Sequence, residues 1–337
     1  MAKVLLHSVA AEDPKNDPWM RSALEMLTES ARQDRFGAHT LTQDPEEADL
    51  IVFAEMGLHG IFAELVRHHP YVKKYRSKCF LFDSGDYAVP LLPGVYAFLR
   101  KQYFDPARTR TGYYLRTDEN PYMDFRPLDA DPPYLGCFVG SVESDPVRAT
   151  LAQLPGDRFL VEDTSAFAFQ LLSSKSLDER RHQFWSHYAD SMASAAFALC
   201  PRGRGPGSVR LFEAMRMGRC PVILADEWAY PERVDWQACS IVVPEKDASR
   251  LPEILEKWRP RAAEMGARAR QEWEKFYAPD VRFHWLVEDC LAMRRARRMP
   301  EPIAAKLAWL HLLDYITFRR FLSSKKQMYH RTGRIIL

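Results

Sequence analysis

The stretch FALCPRGRGPGSVRLFEAMRMGRCPVILADEW, residues Phe197–Trp228, predicts two strands joined by a glycine-rich loop and a helix. The first strand, Phe197–Cys200, is short and apolar. Ser208 stands where an N-cap would lie, ahead of the good helix formers of Val209–Met217. Pro221–Ala225 then has the continuous apolar character of a buried strand. A strand–helix–strand unit of this kind favours a parallel sheet.

The loop between the strand and the helix has the chemistry of an anion site. Gly205 and Gly207 let the backbone come close to a ligand, and the helix N-terminus directs free N–H groups towards it. Arg202 and Arg210 can contact phosphate, and Glu213 can accept hydrogen bonds from ribose hydroxyls. The alternative is an ordinary helix with a surface Arg210–Glu213 pair. The glycine spacing matches neither a P-loop nor the dinucleotide-binding motif.

This stretch resembles the signature of the exostosin-like glycosyltransferases. The matching motifs are Cys-Pro-Arg-Gly at 200–203, Ser-x-Arg-Leu-x-Glu-Ala at 208–214 and Gly-x-Cys-Pro-Val-Ile at 218–223. The resemblance implies an α/β chain of the GT-B type, with two facing Rossmann-like domains, parallel sheets and a C-terminal helix that crosses back to the N-terminal domain. It also implies an inverting transfer from a nucleotide sugar, without an obligatory metal.

The resemblance implies that the donor binds to the second half of the chain. Arg202 and Arg210 would contact its diphosphate, and Glu213 its ribose. The strand Tyr134–Gly140 ends near this site, and Val139 stands where many family members have an arginine. A UDP-sugar is the favoured donor, with a GDP-sugar as the alternative. The candidate donor-binding residues are Arg202, Gly205, Gly207, Ser208, Arg210, Glu213, Gly140 and Ser141.

The first half of the chain alternates short apolar strands with helices, which predicts a second α/β domain. Ligands of open α/β sheets collect at the carboxyl ends of the strands. Asp83, Asp86 and Glu55 follow such strands and are candidates for the base that takes the proton of the acceptor hydroxyl. His7, at the end of the first strand, is a weaker choice. Because Asp and Gly are also ordinary turn residues, the choice stays open.

The length of 337 residues is enough for two domains. We predict an acceptor-side domain at residues 1–130, a nucleotide-sugar-binding domain at 131–298, and a basic helix and tail at 299–337. The linker between the domains is expected at 124–133. The formal net charge is only +2, so the composition gives no reason to expect a nucleic-acid partner.

Six cysteines are scattered through the chain, and none belongs to a CxxC pair. This pattern predicts buried thiols in a reducing compartment and argues against a zinc site. The only Asp-x-Asp motif, Asp129–Asp131, falls in the predicted linker, so we expect neither a metal nor another cofactor. No apolar run approaches about 18 residues and no signal peptide precedes the first strand, which predicts a cytoplasmic location.

The end of the chain is basic. Residues 292–337 contain eleven Lys and Arg residues against two acidic ones, and Ile303–Leu322 is rich in Leu, Trp, Tyr and Phe. We expect this segment to form a helix that packs back on the first domain. The alternative is an interfacial helix at an anionic membrane, near a lipid-linked acceptor.

These features predict an inverting glycosyltransferase that acts on a hydroxyl group of a glycan or of a lipid-linked saccharide. Two other functions fit the same residues. One is a glycan- or nucleotide-binding protein that has kept the fold without turnover. The other is a membrane-surface adaptor that uses the basic tail.

Overall fold

The computed structural model describes residues 1–13, 16, 18–57, 61–115, 119–166 and 178–332. The chain divides into two units. One contains Met1–Asp118, Glu227–Glu232 and Ala278–Leu337, and the other contains Glu119–Asp226 and Arg233–Tyr277. The second unit therefore begins before the expected linker at 124–133. Residues 278–298, which we predicted in the nucleotide-sugar-binding domain, belong to the first unit.

Each unit has one parallel sheet, which confirms the predicted α/β class. The strands of the first are β1 (Ala2–His7), β2 (His39–Leu41), β3 (Leu50–Glu55), β4 (Cys79–Asp83), β5 (Gly94–Tyr96) and β6 (Thr109–Thr111). Those of the second are β7 (Tyr134–Gly140), β8 (Phe159–Asp163), β9 (Ala195–Pro201), β10 (Cys220–Leu224) and β11 (Ile241–Val242). Their orders are β2-β1-β3-β4-β5-β6 and β11-β10-β9-β7-β8.

The α-helices of the described residues surround these sheets. They are α1 (Val9–Glu12), α2 (Ser22–Arg32), α3 (Ile61–His68), α4 (Pro70–Tyr75), α5 (Pro146–Leu151), α6 (Asp178–Ala193), α7 (Arg210–Met217), α8 (Trp236–Cys239), α9 (Leu251–Trp258), α10 (Ala262–Phe276), α11 (Arg282–Ala296), α12 (Glu301–Leu307) and α13 (Tyr315–Thr332). The segment Ala308–Leu313, between α12 and α13, is a 3₁₀ helix.

Strand β3 shows why the first sheet is covered on both faces. All six of its residues are buried. Val52 belongs to an apolar cluster with Phe283 of α11, whereas its neighbour Phe53 belongs to another cluster, with Val72 of α4. Successive side chains of a strand point to opposite faces, so a strand buried on both sides has a continuous apolar sequence. Polar side chains of these strands are therefore expected at the carboxyl edge of the sheet.

The C-terminal helices pack on the first unit, as predicted. Arg108 Nη1 and Glu301 Oε1 form a buried ion pair at 2.8 Å. Further along, Lys325 Nζ lies 2.7 Å from Glu64 Oε2. The structure also bears out the predicted burial of the cysteines, all six of which are buried. Among the described residues, no helix combines the length and the apolar character that crossing a membrane requires.

Candidate functional site

The glycine-rich loop joins the carboxyl end of β9 to the first turn of α7. Arg210 is the first residue of α7, and Val209, not Ser208, occupies the N-cap position. The helix thus begins one residue later than predicted. Val209 already has helical backbone angles, and the Ser208 carbonyl accepts the N–H of Leu211 at 3.3 Å, so a single 3₁₀-type turn leads into α7.

The side chain of Arg210 is buried against the end of β7. Its Nη2 donates a hydrogen bond to the carbonyl of Val139, and its guanidinium lies 4.4 Å from the centre of the Phe138 ring. A Cβ at Gly140 would come within 2.5 Å of Nη2, so the approach depends on that glycine. Nε of Arg210 is buried and has no hydrogen-bond partner in the described chain. One predicted phosphate ligand is therefore a buried cation at a strand end.

Arg202, the second predicted phosphate ligand, is held by acidic side chains. Its Nη2 lies 2.7 Å from Asp145 Oδ2, and its Nε lies 3.2 Å from Glu245 Oε1. Arg148 donates from Nε to the Arg202 carbonyl at 2.7 Å. These two carboxylates neutralise the charge of Arg202. The side chain therefore helps to fix the shape of the loop and adds little to its positive charge.

Glu213 lies one turn after Arg210, as its spacing predicts, and is partly exposed. The hydroxyl of Tyr188 donates to Glu213 Oε2 at 2.6 Å. Burial raises the pKa of Tyr188 well above 10, so its hydroxyl keeps its proton and remains a donor. The pair fixes a carboxylate at the start of α7, where a hydroxyl group of a ligand can meet it.

The other predicted donor residues also lie at this edge of the second sheet. Gly140 ends β7, and the Ser141 hydroxyl lies 3.0 Å from that of Ser165, which follows β8. Gly205, Gly207 and Ser208 are buried in the loop after β9. The topology thus brings together the eight predicted residues, namely Arg202, Gly205, Gly207, Ser208, Arg210, Glu213, Gly140 and Ser141.

The predicted catalytic carboxylates lie at the carboxyl edge of the first sheet. Glu55 and Asp83 are register partners on β3 and β4. Glu55 accepts from the backbone N–H of Val9 at 2.6 Å and from the Ser8 hydroxyl at 3.0 Å. Burial raises the pKa of Glu55 to about 8 and that of Asp83 to about 7. Asp86 is exposed.

Two glycines cover Asp83. Its Oδ1 accepts from the N–H of Gly85 at 2.8 Å. A Cβ built on Gly57 would lie 2.3 Å from the same oxygen and 2.4 Å from Gly85 Cα, so two backbone segments meet over the carboxyl group. Asp83 and Glu55 are therefore buried and support the turns at this edge, and their role as the acceptor base stays a prediction.

A cluster of His7, Glu12 and His69 stands at the same edge, where β1 ends. The Nε2 atoms of both histidines lie 2.9 Å from Glu12 Oε1. Sequence reasoning gave His7 a minor role and missed its two partners. His69 had a weak signal, since it precedes Pro70 and caps α4. Glu12 had none, because only the fold brings it to His69.

Comparison with known proteins identifies the second unit. Residues 126–258 match the family model of the Exostosin GT47 domain. The chain is 37% identical to the exostosin-1 homolog of Caenorhabditis elegans over 102 residues, which are 29% of this chain and 26% of that protein. It is 38% identical to the probable glucuronoxylan glucuronosyltransferase IRX7 of Arabidopsis thaliana over 78 residues, which are 23% of this chain and 17% of that protein.

Among solved structures, a glycosyltransferase from Rickettsia africae aligns with a TM-score of 0.45 at 11% identity, over 88% of this chain and 99% of that one. The chain spans about a quarter or less of the length of the two curated relatives that it matches. The family match contains the complete loop, α7 and β10, which carry the motifs that predicted it. Residues 126–258 therefore match an Exostosin GT47 domain, and through this domain the chain is similar to the exostosin-like glycosyltransferases.

Proposed function

We propose that the protein is an inverting glycosyltransferase that moves a sugar from a nucleoside-diphosphate sugar to a hydroxyl group of a glycan or a lipid-linked saccharide. The observation that carries this proposal is the eight-residue edge at β7, β9 and α7, inside the matched domain. UDP is the favoured nucleotide. The Arabidopsis relative is named a glucuronosyltransferase, so UDP-glucuronic acid is the first donor to test.

Arg210 and the start of α7 would bind the diphosphate. The leaving group gains negative charge as the bond to the sugar breaks, and fixed donors at that point stabilise the transition state. The buried guanidinium of Arg210 supplies a cation, and the first turn of α7 supplies N–H groups and a positive helix end. These groups would stabilise the negative charge of the leaving diphosphate, which a divalent cation can also do. The reaction should therefore need no added metal.

Glu213 would receive the ribose hydroxyls. Its carboxylate is positioned by the Tyr188 hydroxyl at 2.6 Å, and it shares a helix face with Arg210. A nucleotide that reaches the Arg210 guanidinium with its phosphates therefore has an acceptor for its sugar one turn along α7. The same pair would disfavour ligands that carry phosphate but no vicinal hydroxyl groups.

The second partner of the protein in this proposal is an anionic phospholipid surface. Eleven of the seventeen large apolar residues that are exposed in the described chain lie between Met299 and Tyr329. Lys306, Arg319 and Lys326 are exposed among them. An apolar face with basic residues is typical of helices that lie in a membrane interface. A lipid-linked acceptor would meet the enzyme at such a surface.

Binding and turnover of nucleotide sugars test the function. Wild-type protein is titrated with UDP and GDP, and nucleotide release is measured with UDP-glucuronic acid, UDP-xylose and UDP-N-acetylglucosamine. We expect UDP to bind and at least one UDP-sugar to be consumed, with EDTA leaving the rate unchanged. Absence of both binding and release would overturn the proposal. A rate that EDTA abolishes and manganese restores would overturn its metal independence.

Arg210→Gln is the informative variant. Hydrogen bonds to charged groups contribute about 1.5–3 kcal/mol, so UDP affinity should fall about 10- to 100-fold. Arg216→Gln is the matched control, since Arg216 lies on the same helix and pairs with Glu119 at 3.4 Å. Equal UDP affinity in the two folded variants would remove Arg210 from the donor site.

A further inference from the structure

The hydroxyl group of Ser141 lies at the end of a series of hydrogen bonds that starts at Asp163. These residues stand where neighbouring strands end, since Gly140 of β7 and Asp163 of β8 are register partners. The Ser165 hydroxyl donates to Asp163 Oδ1 at 2.5 Å, and the Ser141 hydroxyl lies 3.0 Å from that of Ser165. Backbone N–H groups of Ser165 and Val142 donate to the same carboxylate oxygen at 2.9 and 3.2 Å. All of these residues belong to the second unit.

The charge of Asp163 fixes the direction of these hydrogen bonds. The hydroxyl and the backbone N–H of Ser165 stabilise the carboxylate and lower the pKa of Asp163 below its usual 3.8, so it is ionised at neutral pH. An ionised carboxylate only accepts hydrogen bonds, so Ser165 gives its single hydroxyl proton to Asp163. The backbone N–H of Glu143 also faces the Ser165 oxygen, at 3.5 Å. The contact between the two serines is therefore a hydrogen bond only when Ser141 donates it.

Ser141 is consequently left as an acceptor towards any ligand. A hydroxyl group has one proton and two lone pairs, and the proton of Ser141 is taken by Ser165. Among the residues that the structure describes, none donates a hydrogen bond to the Ser141 hydroxyl oxygen, and the residue is partly exposed. A ligand that meets this hydroxyl must bring an O–H or N–H group. A diphosphate oxygen, which only accepts, does not fit there.

The cation of the donor site is one residue away. A Cβ at Gly140 would come within 2.5 Å of Arg210 Nη2, and Nε of Arg210 is buried without a hydrogen-bond partner in the described chain. Arg210 thus offers donors to a ligand, whereas Ser141 offers an acceptor. A nucleoside-diphosphate sugar has groups of both kinds: its phosphate oxygens accept, while the hydroxyl groups of its sugar and the N–H of uracil donate. The two residues therefore suit different parts of one ligand.

We propose that Ser141 determines donor specificity by accepting a hydrogen bond from a hydroxyl group of the transferred sugar or from the uracil N–H, and that Ser165 and Asp163 are its positioning residues. The proposal rests on the proposed function and deepens it at the same site. Arg210 and the start of α7 keep the diphosphate, and Glu213 keeps the ribose. The negative charge of Asp163 also disfavours a phosphate group beside Ser141.

Calorimetric titration of the full chain tests the contact. The ligands are UDP, 3-methyl-UDP, in which a methyl group replaces the uracil N–H proton, and the UDP-sugar that wild-type protein binds most tightly among UDP-glucuronic acid, UDP-xylose and UDP-N-acetylglucosamine. Ser141→Ala should weaken UDP-sugar binding about 2- to 10-fold, the range for a hydrogen bond between neutral groups. Ser194→Ala is the matched control, because the Ser194 hydroxyl donates to the Ser191 carbonyl at 2.8 Å, just before β9 begins.

The three ligands distinguish the two sources of the hydrogen bond. Unchanged UDP affinity in Ser141→Ala assigns the contact to the transferred sugar. An equal loss for UDP and the UDP-sugar, with 3-methyl-UDP unaffected by the substitution, assigns it to the uracil N–H. A loss that extends to 3-methyl-UDP would place Ser141 against the diphosphate or the ribose and overturn the proposal. Unchanged affinity for the UDP-sugar would overturn it as well.

The positioning role of Ser165 is tested through its dependence on Ser141. Ser165→Ala removes the group that holds the Ser141 proton, so the hydroxyl can turn and UDP-sugar affinity should fall, whereas Ser165→Thr keeps a hydroxyl and should preserve it. Because Ser165 acts through Ser141, adding Ser165→Ala to Ser141→Ala should cause no further loss. A further loss of full size in the folded double variant would refute the positioning role.

Failure of this proposal and failure of the proposed function give different results. If the wild type binds neither UDP nor any of the three UDP-sugars, the proposed function fails and this proposal with it. If the wild type binds a UDP-sugar and Ser141→Ala binds it equally well, only the role of Ser141 is refuted.

Discussion

Val139 and Gly140 position the Arg210 side chain through the backbone alone. The Val139 carbonyl accepts from Arg210, and a Cβ at residue 140 would come within 2.5 Å of Nη2. Val139 stands where many members of the family that this chain resembles have an arginine, and an apolar side chain supplies no cation there. What this position contributes in the structure is its carbonyl, which does not depend on the side chain. The positive charge beside this carbonyl is that of Arg210, the first residue of α7.

The raised pKa of Glu55, in the first sheet, can be tested with a single substitution. Burial raises its pKa from 4.5 to about 8, so the folded protein holds a proton there that the unfolded chain loses above about pH 4.5. Its stabilising contribution is therefore complete below about pH 4.5 and is lost as the pH rises to about 8. We predict that Glu55→Gln gains stability relative to the wild type across that window.

The amide of this variant can still accept from Val9 and donate to Ser8, so the contacts survive the change. Thermal unfolding of both proteins at several pH values gives the difference in Tm. The exposed Glu25→Gln serves as a control for the loss of one negative charge. If the curves of wild type and Glu55→Gln run parallel from acid to alkaline pH, the pKa of Glu55 is the same in the folded and unfolded states, and the prediction is wrong.

At the scale of elements, the signature unit was predictable because each of its signals is local. An apolar run, three spaced glycines and a set of helix formers gave β9, the loop, α7 and β10 within one or two residues of their bounds. Strands β5 and β6 were missed. Each has only three residues and lies in a segment rich in prolines and aromatics, where no alternation can develop.

Helix α11 shows the other limit of the sequence. We predicted its residues in the second domain, because the sequence does not show which sheet a helix covers. Phe283, Val287 and Cys290 pack in the cluster of the first sheet, although α10, just before it, belongs to the second unit. The cluster of His7, Glu12 and His69 was hidden for the same reason, since its members meet only through the fold.

The start of α12 is tied to the first unit by a buried ion pair, which yields a prediction at this scale. Glu301 lies 2.8 Å from Arg108 and 3.8 Å from Arg297, and its side chain is 2% exposed. Glu301→Gln would leave two cations without their shared carboxylate. Removal of one partner from a buried pair costs about 3–5 kcal/mol, so the free energy of unfolding should fall by that amount in urea titrations.

Glu253→Gln is the matched control. Glu253 pairs with Lys257 at 3.1 Å on an exposed helix face, and such pairs contribute about 0.3–0.5 kcal/mol. If the two variants lose equal stability, the Arg108–Glu301 contact does not hold α12 in place. The mode of packing that we predicted for the C-terminal segment would then depend on apolar contacts alone.

At the scale of the whole molecule, the C-terminal segment packs on the first unit, and the membrane interpretation of its sequence stays a prediction. Thr317, Phe321, Ser324 and Met328 form the buried stripe of α13. These residues are spaced by three or four positions, so they share one face of the helix. The opposite face exposes apolar residues next to basic ones. They are Tyr315, Phe318, Arg319, Leu322, Lys326 and Tyr329.

Packing on the first unit therefore does not use up the apolar surface of this segment. Leu313, just before α13, is 83% exposed, and Tyr315 is 69% exposed. Exposed apolar patches of this kind mark interaction sites in proteins. An anionic bilayer suits the patch better than an uncharged one, because Arg319 and Lys326 lie on the same face as Leu322.

Vesicle binding by the full chain tests this surface. We predict that wild-type protein sediments with vesicles of phosphatidylcholine and phosphatidylglycerol, less so with phosphatidylcholine alone, and less at high salt, since salt screens exposed charges. Each basic residue near an anionic surface contributes about 1 kcal/mol, so Arg319→Glu combined with Lys326→Glu should weaken binding at least tenfold.

The apolar residues of the patch are tested in pairs. Leu313→Ser with Leu322→Ser should also weaken vesicle binding. Leu41→Ser with Val242→Ser is the control, since these apolar residues are exposed elsewhere, and it should leave binding unchanged. Wild-type protein that stays in the supernatant, or equal binding by both serine pairs, would refute the membrane surface. A dimer in solution that only the Leu313→Ser, Leu322→Ser protein fails to form would assign the patch to a second copy of the chain.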